Sequence, residues 1–439
     1  MHEHTAEPAA IPVGILIHSM PMKPKDRSNR ALSCALAAAM SLPLAAGNLP
    51  AGKPEDAGFS TERLQRIHES VQRHIDSGAV SGAVTLVARK GRIVHFETHG
   101  LMDIESKRPM AKDAIFRLAS MTKPITGVAV MMLVEEGKVR LSDPVSRFIP
   151  EFKQSKVSVI TGFGNAVLPD YRTVPAAREI TVQDLLTHTA GLVSWRMLGT
   201  RLAPQRKADD TLATYVPRLA EVPLDFQPGT QWEYSGSAGP DVLGRIVEIA
   251  SDMPFDRFLR TRIFEPLGMN DTFFFCPDDK RPRMPTLYRS TPQGLAKAPN
   301  QNGFSSRTYF GAGGGLMSTA EDYAQFAQML LNGGVLNGKR LLSPKTVELM
   351  ASNHVGDMFN GKLGRPARGM GYGLLVGIVM DHVAARLAVS DGSFGWDGAF
   401  GTQTWIDPKE QMVEIIMLQE QVVQAQRDFE TAVRQAMIE

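Results

Sequence analysis

The two ends of this chain carry the same elements in mirrored order. Near the start, "STERLQRIHESVQRHIDSG" (Ser60 to Gly78) predicts a helix. Ser60 can cap it, Glu62 and Arg63 lie in its first turn, Leu64, Ile67, Val71 and Ile75 recur at helical spacing, and Gly78 stops it. "GAVTLVARKGRIVHFETHG" (Gly82 to Gly100) follows as a β-hairpin, with β-branched runs on both sides of Lys90-Gly91. Near the end, "GTQTWIDPKEQMVEIIMLQ" (Gly401 to Gln419) reads as a second hairpin turning at Asp407-Pro408-Lys409-Glu410, and Val422 to Ile438 as a helix. The middle is mostly helical: "ITVQDLLTHTAGL", "PDVLGRIVEIASDM", "PFDRFLRTRIFEPLG" and "STAEDYAQFAQMLLNGG". The economical architecture is α/β (α+β): one antiparallel sheet assembled from both chain ends, flanked by helices, with a large helical insertion. The expected division is a leader over 1–47, an α/β subdomain from 48–117 and 365–439, and a mainly helical subdomain over 118–364.

Composition narrows the function classes. With 439 residues, 43% hydrophobic and 21% charged, the chain has material for a large core. A formal net charge of +2, without basic runs or interleaved aromatics, sets nucleic-acid binding aside. Two cysteines, Cys34 and Cys276, make neither a disulfide framework nor a four-ligand zinc site. No H-E-x-x-H occurs, and "HEH" at residues 2 to 4 reads as a solvated terminus, so neither metal nor cofactor is expected. "KPKDRSNR" followed by "ALSCALAAAMSLPLAAG" has the charged, apolar, small-residue order of a secretory signal. It is too short for a membrane-spanning helix. Cleavage near Ala46 or Gly47 would give a periplasmic or secreted protein; if the leader is not a signal, the protein is cytoplasmic. A small molecule is the expected partner, with no stable membrane span.

"FRLASMTKPITG" (Phe116 to Gly127) holds the only Ser-x-x-Lys of the chain, Ser120-Met121-Thr122-Lys123. Pro124 lacks an N–H and is best tolerated in a helix's first turn, which puts Ser120 at or just before a helix start. The apolar run after it predicts a buried helix ending at Gly137. Ser120 would then lie where free N–H groups favour developing negative charge, with the Lys123 amine reaching back over the same face. A buried lysine beside a hydroxyl can serve as a base. On this segment alone, a capping serine with a solvated lysine fits equally well.

Six segments in order carry a family likeness: "FRLASMTKPITG", "ITVQDLLTHTAGL", "QPGTQWEYSGSAGPDVLG", "FEPLGMNDTFF", "GAGGGLMSTAEDYAQFAQMLLNGG" and "FGWDGAFGTQTWIDP". Over roughly residues 55–420 the chain resembles the serine beta-lactamase-like hydrolases: class C beta-lactamases, DD-peptidases and, most closely, family VIII carboxylesterases. The resemblance implies a beta-lactamase/transpeptidase-like fold with the active site between the two subdomains. It implies Ser120 as nucleophile, Tyr234 with Lys123 as base, and an oxyanion hole from the N–H groups of Ser120 and Ala399. It aligns Trp396-Asp397-Gly398 with the third motif, usually a Lys-Thr-Gly-type triplet. Gly398 would admit close approach of a ligand. Trp396 would replace the cation by an apolar wall, or else belong to the core; Asp397 either tunes the motif or stands exposed.

The departures favour esters. Lactamases and peptidases of this group have Tyr-x-Asn, whereas this chain has Tyr234-Ser235-Gly236 and no Lys-Thr-Gly. Losing that amide and that cation weakens recognition of an acylamino, carboxylate-bearing substrate, while simple esters need neither. The expected activity is hydrolysis of carboxylic esters of small to medium acyl groups through an acyl-serine. A beta-lactamase, a D-amino-acid peptidase, an amide hydrolase or an acyltransferase of the same fold stands as the alternative, and a non-catalytic penicillin-binding or structural relative as a third. With no G-x-S-x-G elbow, His188 reads as a hydrogen-bonded structural residue. "GAGGG" (Gly311 to Gly315) lacks a phosphate-loop ending; by resemblance it lines the substrate cleft, with Val193 to Asp210 as one wall.

Overall fold

The computed structural model describes residues 48–162, 168–299, 301 and 306–439, all within one compact unit. The expected export signal, His2 to His4 and Cys34 lie outside the described residues. Among those described, no helix is long and apolar enough to cross a membrane.

Helix α1 (Thr61–Asp76) begins where the Ser60 side chain accepts the Arg63 N–H, and buries Leu64, Ile67 and Val71 along one stripe. Strands β1 (Gly82–Arg89) and β2 (Arg92–Asp103) form the first hairpin, with both Lys90 and Gly91 at positive φ. That backbone twist matches the twist of the strands it joins. A short β3 (Arg108–Pro109) follows. The remaining strands of the main sheet come from the far end of the chain: β4 (Met370–Tyr372), β5 (Gly377–Val379), β6 (Phe394–Asp397), β7 (Gln403–Asp407) and β8 (Met412–Met417). The eight-stranded order is β4-β5-β6-β7-β8-β1-β2-β3, antiparallel throughout. The two ends join where β1 pairs β8, Val84 opposite Met417 through to Arg89 opposite Met412.

Alternation along β1 divides the core. Ala83 and Val87 face α1 and the closing helix Val423–Ala436, where Ile67, Val71, Phe429 and Val433 complete an apolar layer. Val84, Leu86 and Ala88 face the other way into the larger core, against the helices Thr122–Glu135 and Ala320–Leu331. The first of these is buried from Thr122 through Leu133, which is why its sequence is apolar on nearly every face. The region 118–364 is less purely helical than its sequence pattern suggests. It carries two-stranded ribbons such as Lys156–Gly162 with Asp170–Pro175, and its helix Ala320–Leu331 lies directly on the main sheet. Within "ITVQDLLTHTAGL" only Val182–Leu186 is helical, because His188 adopts positive φ and turns the chain away.

Candidate active site

The segment leading to Ser120 is fixed before the helix begins. Phe116–Arg117 pairs with Met317–Ser318, and the Leu118 N–H donates to the Leu316 carbonyl at 2.9 Å. The Thr402 hydroxyl donates to the Leu118 carbonyl at 3.1 Å, tying this segment to the strand that follows β6. Ala119 sits at φ +46°, an uncommon conformation for a residue with a Cβ, held by these contacts. A 3-10 turn over Ala119–Met121 then runs into helix α2 (Thr122–Glu135), so Ser120 stands one turn ahead of the helix proper.

Lys123, one turn on, is fully buried. Its Nζ lies 3.1 Å from Ser120 Oγ and 2.6 Å from each of the carbonyl oxygens of Gly236 and Gly313. Three protein oxygens thus surround the amine head. The Tyr234 hydroxyl lies 2.7 Å from Ser120 Oγ, and Lys123 Nζ sits 4.9 Å from the centre of its ring. Residues 114 apart in sequence thus converge on one oxygen.

Glycines make the convergence possible. A Cβ on Gly313 would fall 2.5 Å from the Gly236 carbonyl oxygen, closer than real side chains approach. Only glycine lets the "GAGGG" backbone present its own carbonyl beside that of Gly236. Asp241, buried on helix α3 (Ala238–Ser251), anchors this loop by accepting the Ala312 N–H at 2.7 Å and the Tyr309 hydroxyl at 2.6 Å. Burial pushes its carboxyl up to about 6, against the pull of those donors.

Behind Tyr234 stands a shell of buried rings. His188 Nδ1 accepts the Ser235 N–H at 3.3 Å, its carbonyl accepts the Glu233 N–H at 3.2 Å, and its ring lies 4.8 Å from that of Tyr234. Burial, with the nearby Lys123, holds His188 well below the usual histidine range, so it stays neutral and keeps the Nδ1 lone pair. The sequence places His188 as a structural residue; the structure adds that it fixes the backbone on both sides of Tyr234.

Ser120, Ala399, Gly236, Gly311 and Gly313–Gly315 line one cavity of about 360 Å³, with Val193, Trp195, Thr200 and Arg206 as a wall. Trp195 is half exposed, and the Arg196 guanidinium stacks 4.2 Å from its ring centre.

Of the two readings of Trp396, the structure takes the core one, and the expectation of a wall of the cleft is corrected. Trp396 is 3% exposed and packs among Trp232, Phe359 and Tyr372, 5.9 Å from the Tyr234 ring, so it supports Tyr234 from behind. Alternation along β6 turns it away from the cavity, which a motif alignment does not reveal. Gly398 does not serve the approach of a ligand: a Cβ there would overlap the Leu118 carbonyl oxygen and the Thr402 hydroxyl. Its smallness brings the third motif against the nucleophile's own strand. Asp397 is paired with Arg365 at 2.9 Å, and that guanidinium lies 5.4 Å from the Trp396 ring centre.

The chain is similar to known proteins over most of its length. A protein-family model described as Beta-lactamase matches residues 67–436. Protein Rv1367c of Mycobacterium tuberculosis is 36% identical over 364 residues, covering 80% of this chain and 88% of that protein. Esterase EstB of Burkholderia gladioli is 30% identical over 380 residues, with coverage of 80% and 88%. The solved structure of EstCE1, described as a hydrolase with promiscuous acyltransferase activity, superposes with a TM-score of 0.71 at 26% identity, covering 86% of this chain and 99% of that one.

Proposed function

From the premise that this chain belongs to the beta-lactamase family, with its beta-lactamase/transpeptidase-like fold and esterase relatives, we propose that it is a serine carboxylesterase. The observation that carries the reading is the approach of Tyr234 Oη and Lys123 Nζ to the same Ser120 oxygen, 2.7 and 3.1 Å, at the floor of a cavity.

Ser120 Oγ attacks the ester carbonyl carbon, and its proton passes to the Tyr234/Lys123 pair. The carbonyl oxygen gains the charge and is received by the N–H groups of Ser120 and Ala399. Collapse of the tetrahedral adduct breaks the bond to the alcohol oxygen, which leaves with the proton the pair returns. Water then attacks the acyl-serine by the same route, releasing the acid and restoring Ser120. Lys123, held between two backbone carbonyls, steadies negative charge on Tyr234 when its proton is in transit.

Esters rather than penicillin-like amides are favoured by what stands beside Tyr234. The Ser235 hydroxyl is turned inward to accept the Gly239 N–H at 2.9 Å, and Gly236 meets the cavity with backbone alone. No side-chain amide reaches an acylamino carbonyl from this segment. Transfer of the acyl group to an alcohol in place of water is the second reading, supported by the half-exposed Trp195 at the cavity wall, which offers an apolar face to an acceptor.

The test is hydrolysis of nitrophenyl butyrate by the wild type and by Ser120→Ala, with intact mass after a slowly deacylating ester. Loss of both turnover and a single acyl adduct in Ser120→Ala is expected. Unchanged hydrolysis in that variant would overturn the assignment, and a strong preference for a chromogenic cephalosporin would redirect it to the lactamase reading.

A further inference from the structure

Helix α1 and strand β2 bring a second cluster of chemical groups together, on the side of the sheet away from helix α2. Along β2, His95, Glu97 and His99 share one face by the two-residue period of a strand. They lie opposite Val87, Thr85 and Ala83, on the face that α1 covers. His68, on α1, reaches down to them. His68 Nδ1 lies 3.2 Å from His99 Nδ1 and 3.8 Å from Glu97 Oε2. The three donor atoms all fall within 4.8 Å of one another.

The rings are also oriented from behind. The Thr85 hydroxyl lies 2.7 Å from His95 Nε2 and 2.9 Å from His99 Nε2. A hydroxyl has one proton, so it donates to one ring and accepts from the other. When it accepts from His99 Nε2–H, the lone pair of His99 is on Nδ1, directed at His68. An outer partner that fixes tautomer and ring angle is what a metal-ligating histidine ordinarily has. Two ligands on a tetrahedral ion with bonds of ~2.05 Å stand ~3.3 Å apart, close to the spacing of the two imidazole nitrogens.

We propose that His68, Glu97 and His99 form a binding site for one divalent transition-metal ion of the zinc class. Two imidazole nitrogens and one carboxylate suit zinc, nickel or copper rather than magnesium or calcium. The His68 and Glu97 side chains are 52% and 47% exposed, so a remaining coordination position faces water and Glu97 is free to close the longer gap. The ion would clasp α1 to β2. It stands apart from the Ser120 cavity, whose lining includes none of these residues, and takes no part in ester cleavage.

The test uses the full chain stripped with a chelator, titrated with zinc by calorimetry and with cobalt by visible absorption. Expected are one equivalent bound, the intense visible bands of low-coordinate cobalt, and a rise in the thermal midpoint with zinc. His68→Ala and Glu97→Gln change half-exposed side chains and are expected to fold, checked by circular dichroism. Each is expected to weaken binding about tenfold or more and to lose the thermal shift. The double variant His2→Ala/His4→Ala, which removes the N-terminal His-Glu-His, is expected to bind like the wild type. No stoichiometric binding, equal binding by wild type and His68→Ala, or loss of binding in the His2/His4 variant would each overturn the proposal. The last two outcomes would leave the histidine pair as an ordinary hydrogen bond.

Discussion

Gly313 and Gly236 approach so closely that a single methyl on Gly313 would fall 2.5 Å from the Gly236 carbonyl oxygen. Both carbonyls hold Lys123 Nζ, so the contact sets where the amine can stand. Gly313→Ala is expected to displace the loop, pull one acceptor from Lys123 and lower kcat for nitrophenyl butyrate by about a hundredfold. Thermal unfolding of the same variant should show a drop of about 1–3 kcal/mol, the usual cost of a forced shift in a packed interior. Wild-type turnover in a folded Gly313→Ala protein would mean that the loop does not set the lysine.

Tyr234→Phe removes one oxygen and keeps the ring against His188 and Trp396. If that oxygen carries the proton, kcat should fall by about 10²–10⁴ with little change in KM. Steady-state kinetics alongside single-turnover acylation tests this. A rise in KM with kcat unchanged would make Tyr234 a binding group.

Trp396→Ala opens a cavity in the aromatic shell behind Tyr234 and is expected to cost about 3–5 kcal/mol in urea unfolding. Because Trp396 is buried and turned from the cleft, its loss should lower rates on short and long acyl esters alike. Trp396→Lys, which would restore a cation to the motif, is expected to yield unfolded protein, since the ammonium would enter an apolar cluster without a partner. Soluble Trp396→Lys with new cephalosporinase activity would contradict the placement.

Glu420 is buried with one oxygen accepting the Ser81 hydroxyl, and burial pushes its carboxyl up to about 7. The folded state therefore holds a proton that the unfolded chain releases near 4.5, and the stability this contributes is full below 4.5 and lost as pH rises through 7. The displacement from 4.5 to about 7 corresponds to roughly 3 kcal/mol. Glu420→Gln should match the wild type at pH 5 and exceed it at pH 8 in denaturant unfolding. Some decline should remain in the variant, because burial also raises the Glu414 carboxyl, against the pull of the Arg434 guanidinium at 2.9 Å, and acts in the same direction. A slope unchanged by the substitution would show that Glu420 is not the group that titrates.

The parts of this fold that were legible in sequence are those written locally. The cap at Ser60, the Lys90-Gly91 turn and the apolar run after Pro124 each follow from residues within one element, and all stand where their patterns put them. The direction of Trp396 was not legible, because whether a residue faces cleft or core depends on which neighbour each side of a strand meets. Nor was the role of Gly398, whose close neighbour is Leu118, distant in sequence. The His68, Glu97 and His99 cluster escaped for a related reason. A helical metal motif places its histidines at i and i+4, whereas Glu97 and His99 alternate along a strand and His68 comes from another element.

The pairing of β1 with β8 also governs how the chain can be made. An inner strand of the sheet waits for a partner separated from it by residues 90–411, so the β1–β2 hairpin emerges from synthesis with an open edge and an uncovered apolar face. Such a long-range closure is slow, and the nascent chain is exposed to aggregation until Met412–Met417 arrives. A molecule shortened before Met412 would lose not a peripheral tail but the central seam of the sheet.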